Sequence, residues 1–166
     1  MTEAPLVVVM GVSGAGKSTV GIALAGLLGV GFVDADALHP PANVAKMAAG
    51  TPLTDADRWP WLDRVGAALA DARETGLVVA CSALKRAYRD RIRVVAPAVQ
   101  FAHLTVPRST LDARVAERPG HFMPASLLDS QLETLEPLEP DELGLTVPAV
   151  GGTETTAGTI VALLRH

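Results

Sequence analysis

Residues 11–18 read Gly-Val-Ser-Gly-Ala-Gly-Lys-Ser, behind the apolar, β-rich run Leu6-Val7-Val8-Val9-Met10 and ahead of a helix-forming stretch from residue 17 to about 28. That order of strand, glycine-rich turn and helix constrains the chain more than any other feature. Glycines let the backbone curl around an anion so that successive N–H groups converge on it. The helix N-terminus adds its partial positive charge at the same spot. Lys17 is spaced to reach β- and γ-phosphates, and the Ser18 hydroxyl to ligate Mg2+. The pattern makes Gly11, Ser13, Gly14, Ala15, Gly16, Lys17, Ser18 and Thr19 the expected contacts for ATP, with Mg2+ beside it.

Downstream, short β-rich runs alternate with helical stretches. Strands are expected at 6–10, 30–34, 77–81, 100–105 and 143–147, and helices at 17–28, 41–49, 57–75, 83–95, 108–118, 125–135 and 155–164. Such alternation implies right-handed βαβ crossovers. The fold class is therefore α/β: three layers built around the phosphate loop, with a five-stranded parallel sheet and helices on both faces. The apolar content of 49% suits a sheet buried on both sides. A length of 166 residues without a linker or repeat reads as a single domain, 1–166. Two stretches are too polar and too broken by proline and glycine to be core. These are 35–58, expected to form a substrate-binding segment, and 118–124, expected to form a short lid.

The remaining composition excludes several roles. A net charge of −4 argues against nucleic-acid binding. No apolar run approaches the roughly 20 residues that span a bilayer, and strand 1 begins too early to leave room for a signal peptide. One cysteine, Cys81, allows no internal disulfide and fits the cytoplasm. It ends a buried strand and reads as structural. The four histidines are too scattered for a zinc site, and His103 reads as a core histidine within strand 4.

Three further constellations carry chemistry. Asp34 and Asp36 leave the end of strand 2 together, with His39 close behind. Asp34 suits the outer shell of Mg2+, through water, and Asp36 suits an acceptor hydroxyl; two acids capping the next helix are the bland alternative. In the stretch Lys85-Arg86-Ala-Tyr88-Arg89-Asp90-Arg91-Ile-Arg93, positions 85, 89 and 93 share a helical face. Lys85, in the first turn, and Arg89 are expected to meet an anionic substrate, whereas Arg86 and Arg91 read as a solvated, salt-bridged face. Arg114 and Arg118 lie four apart before a Pro-Gly break, placed to close over a transferring phosphoryl group. An ordinary surface pair is the alternative for these two. Trp61 is expected to pack the 35–58 segment onto the core, with Trp59 partly exposed, and the 148–153 loop to border the adenine.

These residues resemble the bacterial-type gluconokinases of the shikimate-kinase-like branch of P-loop kinases. The resemblance rests on GVSGAGKS at 11–18, DADALHPPANVAKMAAGTPLTDADRWPWL at 34–62, CSALKRAYRDRIR at 81–93, ERPGHFM at 117–123 and SQLETLEP at 130–137. The second string is far more specific than the phosphate loop. Ala35 and Ala15 stand where family members often carry Gly and Ser, and neither change removes a needed donor. The resemblance implies the same three-layer arrangement, that of a P-loop kinase fold. It implies ATP-dependent phosphorylation of D-gluconate to 6-phosphogluconate, with Lys17, Asp36, Arg114 and Arg118 as the catalytic set. It further implies Asp36, His39, Arg58, Lys85, Arg89 and His121 around the sugar acid, and a homodimer. Adenylyl-sulfate kinases would favour an aromatic surface for a nucleotide acceptor. Shikimate kinases carry a glycine-rich segment after strand 3, where Cys-Ser-Ala-Leu-Lys stands here. A nucleotide-dependent switch would have no need of an acceptor pocket.

Overall fold

The computed structural model describes residues 4–116 and 125–164. Its first half runs β1 (Leu6–Met10), α1 (Lys17–Leu28), β2 (Gly31–Asp34), a 3-10 turn (Ala35–Leu38), α2 (Pro41–Ala48), α3 (Asp55–Asp71) and β3 (Leu77–Ala80). The second half runs α4 (Arg86–Val95), β4 (Gln100–Thr105), α5 (Arg108–Ala116), α6 (Ala125–Thr134), β5 (Gly144–Pro148) and α7 (Thr153–Leu163). All strand pairs are parallel, in the order β2-β3-β1-β4-β5. The expected five-stranded α/β architecture is therefore present.

Alternation along the strands divides the core into two apolar layers. From β1, Leu6, Val8 and Met10 face Trp61, Leu62, Leu69 and Ile92 of α3 and α4. Val7 and Val9 face Val20 and Leu24 of α1, and Ala157 and Ile160 of α7. In register, Val8 stands beside Val79 on one side and Phe101 on the other. The chain passes from β1 to β2 on one side of the sheet and later from β3 across β1 to β4 on the other, so a crevice opens at the carboxyl end of β1, where α/β sheets hold ligands. A third apolar cluster, Val12, Leu84, Leu111 and Leu128, packs the phosphate loop against α5 and α6.

Gly21 of α1 lets this helix lie close against β2, since a Cβ there would come within 2.6 Å of the Phe32 ring. No helix among the described residues is long and apolar enough to cross a membrane.

Three helix starts differ from the sequence reading. Helix α3 begins at Asp55, two residues early, because Thr54 and Asp57 form a reciprocal capping box. Helix α7 begins at Thr153, directly after Gly152. Helix α4 begins only at Arg86: Ala83 takes a left-handed φ of 45°, which breaks the helix expected from residue 83. Lys85 is consequently the N-cap residue rather than a member of the first turn.

Candidate active site

The phosphate loop joins β1 to α1 and ends on Gly16, whose φ of 90° turns the chain into the helix. Two cations lie against it. Lys17 Nζ donates to the carbonyls of Gly11 (2.9 Å) and Val12 (3.1 Å). Arg114, reaching across from α5, donates to the Gly14 carbonyl at 2.7 Å. On one side the loop opens into a cleft of about 290 Å³, bordered by Thr19, Thr110, Arg114, Ala149 and Gly152. Gly14, Ala15 and Gly16 also line this cleft, so the phosphate loop and the loop after β5 share it.

At the start of α1 the Ser18 hydroxyl donates to Asp34 Oδ2 at 2.6 Å. The other carboxylate oxygen of Asp34 accepts from the Asp36 backbone N–H at 3.0 Å and caps the 3-10 turn. The capping role weighed for these acids thus belongs to Asp34, which performs it while also facing Ser18. Asp36 is exposed at the mouth of the crevice.

Residues 35–54 form the 3-10 turn, α2 and a loop that leads into α3. Trp61 fastens this segment to the core, donating its indole N–H to the buried Ala35 carbonyl at 2.7 Å. The His39 ring stacks on Trp61, with centroids 4.2 Å apart and planes inclined by 14°. Asn43, almost fully buried, donates from Nδ2 to the Asp57 carbonyl at 2.9 Å and lies 3.2 Å from His39 Nδ1. A carbonyl accepts only, so it fixes the amide orientation and directs the second N–H at His39 Nδ1. That nitrogen is then the unprotonated one, and His39 carries its proton on Nε2. Burial lowers the His39 pKa, which favours this neutral ring. Lys46 closes the segment onto α3, its ammonium 2.7 Å from Asp57, whose carboxyl is held at about 2 by that hydrogen bond and by the Thr54 N–H.

A second pocket, of about 230 Å³, lies between α3, α4 and α6 and is lined by Arg58, Trp61, Ser82, Lys85, Tyr88 and Gln131. It brings together two of the predicted substrate contacts, Arg58 and Lys85, around a carboxylate. Asp55 Oδ1 accepts from the Tyr88 hydroxyl at 2.6 Å and lies 3.4 Å from Arg58 Nη1. Lys85 Nζ stands 3.6 Å from Asp55 Oδ2 and 5.5 Å from the centre of the Tyr88 ring. Hydrogen bonding from Tyr88, then the nearby cations, lower the Asp55 pKa. Sequence reasoning did not assign Asp55, Tyr88 or Gln131 to the site. All three sit inside the strings that carry the resemblance, and that was the available signal.

Arg89 requires a correction. Its side chain is fully buried, paired through Nε and Nη2 with Glu142 at 2.7 and 3.0 Å. Its remaining donors go to the carbonyls of Ala83, Leu84 and Pro137. Every nitrogen is committed inside the protein, so Arg89 is a structural strut and does not reach the pocket. The other readings on α4 hold: Arg86 pairs with Asp141 and Glu139, and Arg91 with Asp63. Cys81 is buried, and desolvation pushes its thiol up to about 12, an inert state. His103 is buried in β4, where desolvation lowers its pKa. Arg118 and His121 lie outside the described residues.

Residues 6–138 match a family model described as an AAA domain. A gluconokinase from Gluconobacter oxydans is 48% identical over 96% of this chain and 89% of its own length. The thermosensitive gluconokinase of Escherichia coli is 48% identical over 81% of this chain and 73% of its own. A crystal structure of a gluconokinase from Sinorhizobium meliloti superposes with a TM-score of 0.85 at 47% identity, covering 96% of this chain and 90% of that one. With a phosphate loop opening on one side into a cleft, and a cation-lined pocket beside it, the chain belongs to the gluconokinase family of P-loop kinases.

Proposed function

We infer that this protein transfers the γ-phosphoryl group of ATP to the terminal hydroxyl of D-gluconate, giving 6-phosphogluconate and ADP. The observation that carries this reading is the pairing of Arg58 with Lys85 in a pocket beside the phosphate loop. Two cations held 3.4 and 3.6 Å from one carboxylate make a site for a second carboxylate, that of a sugar acid. The triphosphate lies along the loop amides under Lys17 and Arg114, and its base enters the cleft bordered by Ala149 and Gly152.

Ser18 and Asp34 fit Mg2+, because a hydroxyl and a carboxylate 2.6 Å apart are the hard oxygen donors this ion takes. Ser18 would hold it directly and Asp34 through water. The ion would neutralise charge on the β- and γ-phosphate oxygens.

In the transfer, the gluconate hydroxyl oxygen bonds to Pγ as the bond to the β–γ bridging oxygen breaks, and ADP leaves with that oxygen. Asp36 accepts the hydroxyl proton late. A loose transition state makes little demand on a strong base, so positioning dominates. His39, fixed as an Nε2–H donor by Asn43, orients a sugar oxygen rather than taking a proton. Arg114 stabilises charge on the transferring group, and Arg118 and His121 join from the 118–124 segment. The same reading takes the enzyme as cytoplasmic, supported by its free thiol, and as a homodimer, supported by its family membership.

The test is ADP release from ATP with gluconate, glucose, shikimate, adenylyl sulfate or no acceptor. Gluconate should exceed glucose by at least about a hundredfold in kcat/KM, since Arg58 and Lys85 share the single Asp55 carboxylate and the net positive charge that remains is matched only by an acceptor carrying a carboxylate of its own. Comparable values for the two would refute the sugar-acid reading.

A further inference from the structure

The two clefts are joined by one side chain. Gln131, on α6, accepts the backbone N–H of Ser13 in the phosphate loop through Oε1 at 2.7 Å. It also lines the acceptor pocket with Arg58, Lys85 and Tyr88. A backbone N–H only donates, so the orientation of this amide is settled: its oxygen faces the loop. The end left for the pocket is the NH2 group, a pure donor. A pocket already carrying two cations thus gains a neutral donor, suited to a hydroxyl or carboxylate oxygen.

Helix α6 is well braced to hold this side chain in place. Leu128 packs with Val12, Leu84 and Leu111 beneath the loop. Just past the helix, the Glu136 N–H donates to the Leu84 carbonyl at 2.7 Å, and its carboxylate accepts the Arg86 N–H at 3.0 Å.

We propose that Gln131 is a substrate-contacting residue that binds an acceptor oxygen through Nε2 while holding the phosphate loop through Oε1, so that each substrate tightens the site for the other. The proposal rests on the gluconate reading above. When gluconate orders the amide, Ser13 is held in place and the loop is presented to the triphosphate already shaped. Nucleotide that orders the loop fixes the amide in turn. By linkage the two effects are the same factor.

The test is calorimetry on the parent and on Gln131→Met, which keeps side-chain length and removes both polar ends. Gluconate is titrated into nucleotide-free protein, and a non-hydrolysable ATP analogue is titrated with and without saturating gluconate. The parent should bind the analogue several-fold more tightly when gluconate is present. Gln131→Met should bind gluconate alone about tenfold more weakly and bring that enhancement close to one. A purely structural strut to Ser13 would leave gluconate binding without nucleotide unchanged, and that result overturns the proposal. So does an enhancement that survives in the variant, or none in the parent. Gln131→Ala serves as the second variant should Met disturb packing, with thermal melting as the check on folding. Failure of the parent to bind gluconate at all would instead overturn the functional reading.

Discussion

Replacing Glu142 by glutamine should remove a large share of the stability of this protein while leaving its chemistry nearly intact. Glu142 has a side chain with no exposure and accepts from Arg89, from Arg93 Nη2 at 2.6 Å and from the Glu139 N–H at 2.7 Å. Burial pushes its pKa upward, but the hydrogen bonds from Arg89, Glu139 and Arg93 outweigh that and hold it at about 2, against an ordinary 4.5. At about 1.36 kcal/mol per pKa unit, the carboxylate contributes roughly 3 kcal/mol at neutral pH. Breaking a buried ion pair from one side gives an independent range of about 3–5 kcal/mol, because the remaining arginine charge is left uncompensated. For a chain of this size a loss of about 3 kcal/mol corresponds to a fall in Tm of about 6–12 °C.

The sign with pH follows from the lowered pKa. The contribution is fully present above about 4.5 and is lost as pH falls through about 2, so the gap between parent and Glu142→Gln should narrow by roughly half between pH 7 and pH 3. Urea unfolding at the two pH values measures both quantities. A loss below about 1 kcal/mol at pH 7, or a gap that does not change with pH, would refute the reasoning. The folded variant should keep its KM for gluconate, because the Arg89 side chain that it leaves unpaired does not line the acceptor pocket.

Three further substitutions address the acceptor and the metal. Asp36→Asn should lower kcat with gluconate strongly at nearly unchanged ATP affinity, whereas Asp34→Asn should shift the activity optimum to higher Mg2+; a metal titration of rate and a nucleotide isotherm for each variant separate the roles. Asn43→Ala removes the group that holds His39 Nδ1 unprotonated, so nitrogen NMR of the imidazole should show both tautomers where the parent shows Nε2–H alone, with gluconate KM raised several-fold. A single unchanged tautomer would exclude Asn43 as its cause.

The phosphate loop was legible because its constraints are local: glycines, a lysine and a serine act within eight consecutive residues. The five strands and most helices were legible for the same reason, through periodicity. Arg89 was misjudged because a four-residue repeat reveals which side chains share a face, not what that face meets. Its partner Glu142 lies 53 positions away. The start of α4 was unreadable, since nothing local marks the left-handed alanine at residue 83, whose carbonyl accepts from the buried Arg89 guanidinium. Gln131 stood in a matching string, but its tie to Ser13 spans 118 positions and has no local signature. The capping box of Thr54 and Asp57 is written in adjacent residues, and it sets the start of α3 two residues ahead of the expected position.

Gly21 lies three residues beyond Ser18 on α1, and Phe32 lies two before Asp34 on β2. The place where an added methyl group would come within 2.6 Å of the Phe32 ring is therefore one layer below the hydroxyl and carboxylate that face each other at 2.6 Å. The aperture between those two oxygens is gauged from underneath, by how closely a helix can settle on an aromatic ring. A residue with no side chain, lining neither of the two clefts described above, acts as the feeler gauge of the proposed Mg2+ site. In this enzyme the dimension that matters to an ion is thus inscribed in the oil of the core. Alteration of that dimension would register as a changed appetite for magnesium in a protein whose every ionisable group remained in place.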